Sequence, residues 1–276
     1  MYEAFYGLKE RPFALLPDPS FLYMSRRHGT ALTLLQYSIQ NRQGFTVVTG
    51  EVGCGKTTLI NRLLDEVGPE LRVGLINFTH SSFGEMAEWI MMAFDLDYKG
   101  KSKVELYDDF VQFLIREYAA GHPVVLIVDE AQNLGVKGLE EIRMLSNVNA
   151  QKEYLLHLIL VGQPELGELL RKHELRQLMQ RVSVAYNLEP FSQGDVGAYI
   201  AHRMKVAGGD PEVFTPEAVR LIAAASDGVP RLVNTLCDLC LVYGFSADQK
   251  SVDAATVRSV LRDRVRMGLS VGRQAQ

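Results

Sequence analysis

Residues 45–64 read FTVVTGEVGCGKTTLINRLL, and the middle of this stretch has the spacing of a phosphate-binding loop. Residues 50–57 fit the pattern G-x-x-x-x-G-K-[ST]. The glycines let the backbone turn tightly and bring its N–H groups close to a phosphate. Lys56 can reach the β- and γ-phosphates as a mobile charge, and the Thr57 hydroxyl is an oxygen ligand suited to Mg²⁺.

The residues on either side of this loop favour a nucleotide site over an ordinary glycine turn. Residues 45–49 form a run of β-forming residues without polar alternation, which is typical of a strand covered on both faces. Residues 58–67 carry apolar side chains at helical spacing, and the dipole of such a helix favours a bound anion. We therefore expect the nucleotide to be bound by Gly50, Glu51, Val52, Gly53, Cys54, Gly55, Lys56, Thr57 and Thr58.

Composition narrows the class of protein. The 276 residues are 47% hydrophobic, which suits one large α/β domain with or without a smaller companion. A net charge of −4 provides no global attraction to nucleic acid or anionic lipid. The chain opens without a signal-peptide pattern, and no run approaches the ~18 apolar residues of a membrane span. We expect a soluble, cytoplasmic protein.

The three cysteines indicate a reducing compartment rather than a disulfide framework. Cys237 and Cys240 form a C-x-x-C within an apolar helical run, so core packing explains them better than a metal site. Cys54 lies inside the phosphate loop, where a modifiable thiol would be one route to regulation.

A second group of candidate residues follows the apolar strand predicted at residues 124–128. Asp129 and Glu130 place two carboxylates at the carboxyl end of this strand, where α/β proteins bind ligands. Asp129 can hold Mg²⁺ opposite Thr57, and Glu130 can orient and deprotonate the water that attacks the γ-phosphate. The alternative, a strand that simply leads into a helix cap, does not explain the phosphate loop upstream.

The remaining pattern predicts a mostly parallel five-stranded sheet followed by a small all-α domain. Strands are predicted at residues 45–49, 71–78, 124–128, 154–161 and 182–188. Helices are predicted at residues 28–42, 58–67, 83–94, 104–120, 139–148 and 166–180. From residue 191 only helical patterns follow, with starts at Ser192 and Thr215, a break at Gly228, and a last helix over 252–265 that Gly268 ends.

These patterns divide the chain into four segments. We expect an irregular aromatic arm at residues 1–27, the α/β core at 28–190, a helical lid domain at 191–268 and a flexible tail at 269–276. The prolines of the arm exclude a long helix. Its aromatic side chains either line an adenine pocket or simply cover the surface of the domain.

The chain resembles the AAA+ ATPases, and more narrowly the secretion-pathway protein A (ExeA-like) ATPases, which include exosortase-associated ATPases. The resemblance extends over residues 1–265 and is carried by six stretches in the correct order. They are YEAFYGLKERPFALLPDPSFLYMSRRH, GEVGCGKTT, VVLIVDEAQNL, LVGQPEL, LRQLMQRV and GVPRLVNTLCD.

The resemblance implies roles for four further residues. Gln163, after the fourth strand, occupies the sensor-1 position, and Arg231 occupies sensor-2, where a lid arginine contacts the phosphates in cis. Arg181 matches an arginine finger that acts on the nucleotide of a neighbouring subunit, and Arg176 is the second candidate. A surface salt bridge is the alternative explanation for either arginine.

The leading interpretation is an Mg-dependent ATPase that assembles into a homo-oligomeric ring or filament and hydrolyses ATP slowly unless assembled. The resemblance implies a protein partner in secretion or envelope export. A DNA-binding transposition-targeting ATPase of the MuB or TniB kind is the alternative, since Arg258, Arg262, Arg264 and Arg266 form a basic helical run. A third possibility is a nucleotide-gated scaffold that barely hydrolyses ATP.

Overall fold

The computed structural model describes residues 1–16, 18–68, 70–77, 85–150 and 153–269. The predicted strand end at Phe78, the helix start at Phe83 and most of the predicted tail lie outside these residues. The chain forms two compact units. The helical unit comprises Met1–Arg27, Glu51–Thr58 and Glu189–Gln276, and the sheet unit comprises His28–Gly50 and Leu59–Leu188.

Eleven helices and seven strands are assigned to the described residues. The strands are β1 (Phe45–Thr49), β2 (Arg72–Ile76), β3 (Val124–Val128), β4 (Asn149–Ala150), β5 (Glu153–Tyr154), β6 (Leu156–Gly162) and β7 (Val182–Asn187). The helices are α1 (Arg26–Gln40), α2 (Lys56–Glu66), α3 (Met86–Ala93), α4 (Lys103–Ala119), α5 (Gly135–Leu145), α6 (Pro164–Leu170), α7 (Arg176–Met179), α8 (Gln193–Val206), α9 (Pro216–Ser226), α10 (Pro230–Ser246) and α11 (Ala254–Arg266).

The sheet unit is built on a five-stranded parallel sheet in the order β2-β3-β6-β1-β7, which confirms the predicted fold class. Every residue of β3 and β6 is buried, as their mostly apolar sequences predict, and His157 is the one polar side chain among them. The edge strand β7 instead alternates half-buried and exposed residues. Thr49 pairs with Gly162, and Val128 pairs with Leu160, so β1, β3 and β6 end at the same edge of the sheet.

The prediction of one continuous helix over residues 166–180 is wrong. Residues 166–180 form α6, a 3₁₀ turn at His173–Leu175 and the short helix α7, because Lys172 adopts an extended conformation. Leu170, Leu175 and Leu178 are all buried in the same core. On one continuous helix Leu170 and Leu175 would lie about 140° apart, so the break lets both face that core.

Several predicted boundaries differ from the structure by one to four residues, and two of these differences change the local structure. Tyr154 belongs to the separate antiparallel pair β4–β5 rather than to the fourth sheet strand, which begins at Leu156. Helix α5 begins at Gly135, four residues before the predicted start, directly after a 3₁₀ turn at Ala131–Leu134. The apolar pattern from residue 139 marks the buried part of this helix and not its first turn.

The helical unit packs α8–α11 and the N-terminal arm around one hydrophobic core. The arm contributes the buried side chains Tyr2, Tyr6, Phe13 and Phe21. Buried Arg203 on α8 donates hydrogen bonds to the Pro12 carbonyl, the Tyr199 hydroxyl (2.9 Å) and the Ala14 carbonyl (3.5 Å). The arm is thus integrated into the core of the C-terminal helices. The predicted capping box of Ser192 and Asp195 starts α8.

The buried histidine of β6 should make the sheet unit sensitive to acid. Nδ1 of His157 donates to the Gln43 carbonyl, and burial lowers the pKa of His157 to about 4. At pH values below 6.5, the ordinary pKa of histidine, the unfolded chain binds a proton at this position and the folded chain does not. The free energy of unfolding therefore decreases as the pH is lowered. His157 alone should lower the free energy of unfolding by up to about 3 kcal/mol between pH 6.5 and 4.

The measurement is urea unfolding at several pH values. We expect His157→Gln to flatten the pH dependence of the unfolding free energy relative to the wild type. His173→Gln, which replaces an exposed histidine, is the control for losing an imidazole. A parallel loss of stability in wild type and His157→Gln would contradict the expectation.

Candidate nucleotide site

The phosphate loop has the backbone conformation that its glycines predict. Gly53 and Gly55 have φ values of +81° and +94°, which residues with a Cβ rarely adopt. The Cys54 N–H donates to the Glu51 carbonyl at 3.2 Å, and α2 begins directly afterwards at Lys56. A tight glycine loop that leads into a helix N-terminus fits a bound phosphate group.

Two side chains of the loop are buried. Lys56 is 6% exposed, and its Nζ donates to the Glu51 carbonyl at 3.1 Å, which holds the ammonium against the loop. The Cys54 thiol is fully buried, and burial raises its pKa to about 11. The thiol is therefore protonated at neutral pH, which argues against the regulatory modification considered from the sequence. Cys237 and Cys240 are also buried and free, in accordance with core packing.

Within the helical unit, Arg231 lies next to the phosphate loop. It occupies the first turn of α10, which begins at Pro230, and its backbone N–H donates to the Gly53 carbonyl at 3.3 Å. A Cβ on Gly53 would lie 2.7 Å from Cβ of Arg231, so the close approach requires glycine. The fold thus brings together the loop and the arginine that the resemblance assigns to sensor-2.

Within the sheet unit, the two predicted carboxylates occupy the end of β3. Asp129 is 6% exposed, and its backbone N–H donates to the Ile76 carbonyl on β2 at 2.8 Å. Glu130 adopts the left-handed conformation with φ +51°, and its N–H donates to Oδ1 of Asp129 at 2.9 Å. The chain therefore turns sharply after the last residue of β3, so the two carboxylates do not continue the strand pleat.

Gln163, which follows β6, meets Glu130 directly. Its Nε2 donates to Oε2 of Glu130 at 2.9 Å. A second amide, from Gln132, donates to the same oxygen at 2.5 Å and accepts from the Gln163 backbone N–H at 3.1 Å. Gln132 is not among the residues predicted from the sequence, because its position in D-E-A-Q gives no spacing signal. The neighbouring strand ends are what bring these three side chains together.

The two candidate trans-acting arginines have different surroundings. Nη1 of Arg181 donates to the Ser146 hydroxyl at 3.3 Å, at the end of α5. Arg176, the first residue of α7, is exposed. Within the described part of the chain, neither guanidinium forms an ion pair, so the salt-bridge alternative has no partner there.

The predicted metal ligands, Thr57 and Asp129, belong to the helical and the sheet unit respectively. Over the described ranges, no group of three His, Cys, Asp or Glu side chains converges as a metal site. Coordination of one Mg²⁺ ion by both Thr57 and Asp129 stays a prediction.

The family comparison matches residues 39–170 to the AAA domain. General secretion pathway protein A from Aeromonas hydrophila is 41% identical over 247 residues, which cover 89% of this chain. The chain spans 45% of the length of that relative. Residues 39–170 contain the phosphate loop and the two carboxylates that follow β3.

Solved structures share the fold at low identity. The Aeropyrum pernix ORC2 protein in its ADPNP-ADP complexes aligns with a TM-score of 0.66 and 15% identity, over 92% of this chain and 71% of that one. Drosophila ORC bound to DNA aligns with a TM-score of 0.65 and 19% identity, over 93% and 65%. Among the described residues, no helix is long and apolar enough to cross a bilayer.

Proposed function

Because this chain belongs to the AAA+ ATPases related to general secretion pathway protein A, we propose that it binds ATP with Mg²⁺ and hydrolyses it to ADP and phosphate. The observation that carries the proposal is the phosphate loop: two glycines with positive φ, the buried Lys56 and the start of α10 against Gly53. A strand–loop–helix that only turned the chain would need none of these features.

Each residue has a defined part in binding. The loop N–H groups and Lys56 hold the β- and γ-phosphates, and Thr57 and Asp129 are the residues that hold Mg²⁺. When bound, Mg²⁺ neutralises charge that develops on the phosphate oxygens. Arg231 contacts the phosphates from the first turn of α10, so the nucleotide state is transmitted to the helices of the lid.

Hydrolysis uses Glu130 and Gln163. Glu130 accepts a proton from the attacking water while it orients that water in line with the γ-phosphate. The amide of Gln163 already donates to Glu130. We infer that the same amide contacts the water or the γ-phosphate when ATP is bound. The water oxygen forms the new bond to phosphorus, and the bond to the β–γ bridging oxygen breaks, which releases ADP.

Assembly supplies the last catalytic group. An arginine from a neighbouring copy stabilises the charge of the transition state and can contribute roughly 10³–10⁵ in rate. Arg181 is the first candidate, because its guanidinium forms one hydrogen bond to a hydroxyl and no described ion pair. The isolated chain is then slow, and turnover rises when copies join head to tail in a ring or filament.

Mixing two inactive variants tests this arrangement. Arg181→Ala keeps the hydrolytic glutamate, and Glu130→Gln keeps the donated arginine, so each alone should be inactive. Mixed one to one in a head-to-tail assembly, they should recover about a quarter of the wild-type turnover, because half of the intact sites meet an intact donor. Phosphate release measures the rate.

The matched control is Arg176→Ala, which changes the exposed arginine of α7. If Arg176→Ala complements and Arg181→Ala keeps full activity, Arg176 is the donated residue. A mixture that gives only the sum of its two components would remove the trans role from Arg181.

The relative's name supports a partner in secretion or envelope export, which the protein would switch through ATP turnover. The three cysteines are buried and none forms a disulfide, which supports a reducing compartment, and we infer that the protein is cytoplasmic. The lid helices around Arg231 are the element whose position changes with the nucleotide.

DNA is the second candidate partner, and one observation favours it. Arg258, Arg262 and Arg266 are exposed at i, i+4 and i+8 on α11, so they share one face of the helix. Such a stripe can contact successive phosphates. Titration of labelled duplex DNA with and without ATP distinguishes the candidates, since no binding at low salt would discard DNA.

A further inference from the structure

We propose that Gln132 is a positioning residue for ATP hydrolysis, which fixes the Glu130 carboxylate and couples it to Gln163. The inference rests on the proposed function, because it concerns the same glutamate. Gln132 does not need to touch the nucleotide. It acts through Glu130, which takes the proton from the attacking water, and through Gln163.

The hydrogen bonds leave only one orientation for the Gln132 amide. A backbone N–H can only donate, so the Gln163 N–H at 3.1 Å must face the amide oxygen of Gln132. An ionised carboxylate can only accept, so Oε2 of Glu130 at 2.5 Å must face the amide nitrogen. Both ends of one planar amide are therefore used, and neither contact survives a flip of the group.

The surrounding backbone makes room for this bridge. A Cβ on Gly162 would lie 2.6 Å from Oε1 of Gln132, so the amide crosses the end of β6 only above a glycine. Gln132 lies in the 3₁₀ turn at Ala131–Leu134, which follows the left-handed Glu130. This sharp turn folds the side chain of Gln132 back towards the carboxylate two residues earlier.

The two hydrogen bonds fix the orientation of the Glu130 carboxylate. Oε2 of Glu130 accepts from two amides, Gln132 and Gln163, which come from different strand ends. Two donors from different directions restrict the rotation of the carboxylate about its last bond more than one donor does. A general base must be held within hydrogen-bond reach of its proton, so loss of one donor should lower kcat.

Two variants of Gln132 separate donation from simple support of Gln163. Gln132→Met keeps the length of the side chain but removes both polar contacts. Gln132→Glu keeps an oxygen for the Gln163 N–H but replaces the donor to Glu130 by a carboxylate, which repels Glu130. We expect roughly tenfold lower kcat in both variants with KM for ATP within about twofold, because a charge-assisted hydrogen bond is lost from the base and not from the nucleotide.

The adjacent residue offers matched controls in the same turn. Asn133 is exposed, and Asn133→Met and Asn133→Asp repeat the loss of an amide and the addition of a charge one residue later. Both should retain wild-type kcat. Circular dichroism checks that each variant is folded, and Gln132→Glu decides the matter if Gln132→Met does not fold.

The outcomes separate this inference from the function it rests on. Wild-type turnover in Gln132→Glu would overturn the positioning role and leave Gln132 as a support for Gln163. Raised turnover in either variant would also overturn it. If Glu130→Gln itself hydrolysed ATP at the wild-type rate, the proposed role of Glu130 would fail instead. A higher KM for ATP with unchanged kcat would also contradict the positioning role.

Discussion

Replacing Glu130 by glutamine should reduce ATP turnover by roughly 10²–10⁴-fold while ATP still binds, which is the size of effect expected for a general base. The amide oxygen of the glutamine can still accept from Gln132 and Gln163, so the hydrogen-bonded arrangement at the ends of β3 and β6 should persist. What disappears is the group that takes the proton from water. Phosphate release measures turnover, and titration with a fluorescent ATP analogue measures affinity.

Two controls make this result specific. Glu165→Gln neutralises an exposed carboxylate in the first turn of α6, two residues from Gln163, and should leave turnover unchanged. Lys56→Ala should instead lose affinity for ATP, because the phosphates lose their mobile positive charge. Unchanged turnover in Glu130→Gln would remove this glutamate from the mechanism.

The second large effect concerns the fold of the helical unit. Gly228, just before α10, has φ +71°, and a Cβ there would overlap the carbonyl oxygen of Phe191. The Phe191 N–H also donates to the Gly228 carbonyl at 2.9 Å, so the two backbone segments cannot easily separate. Gly228→Ala should lower the free energy of unfolding by about 2–5 kcal/mol, from left-handed strain plus the steric overlap.

Gly7→Ala is the matched control, because Gly7 has φ +68° but no atom lies within 4 Å of an added Cβ. It should cost only the strain of the left-handed conformation, about 1–2 kcal/mol. Urea unfolding followed by circular dichroism measures both, and the fluorescence of Trp89 reports on the sheet unit. Equal losses in the two variants would show that the overlap with Phe191 relaxes at no cost.

The lid has a specific structural link to the nucleotide. Gly228→Ala would distort the turn that precedes α10. That turn positions Arg231, whose N–H donates to the Gly53 carbonyl of the phosphate loop. A folded Gly228→Ala protein should therefore also bind ATP more weakly. The lid and the loop share one compact unit, which is why a change in the helices can reach the nucleotide.

Much of this protein is encoded in short stretches of sequence. The loop GEVGCGKTT, the apolar run of β3 and the helix start at Ser192 could all be predicted, because each depends on residues within one turn or one strand. The order of strand, loop and helix followed from the same local patterns. These features are insensitive to the rest of the chain, since the backbone conformation they need is local.

Other features depend on residues far apart in the chain. The bridge from Gln132 to Gln163 exists because β3 and β6 are hydrogen-bonded neighbours, and no periodicity records which strands pair. The break at Lys172 and the docking of the arm around Arg203 follow from which side chains the core has room to bury. Long-range packing has no signature in a single stretch of residues, because its energy is gained only when separate segments meet.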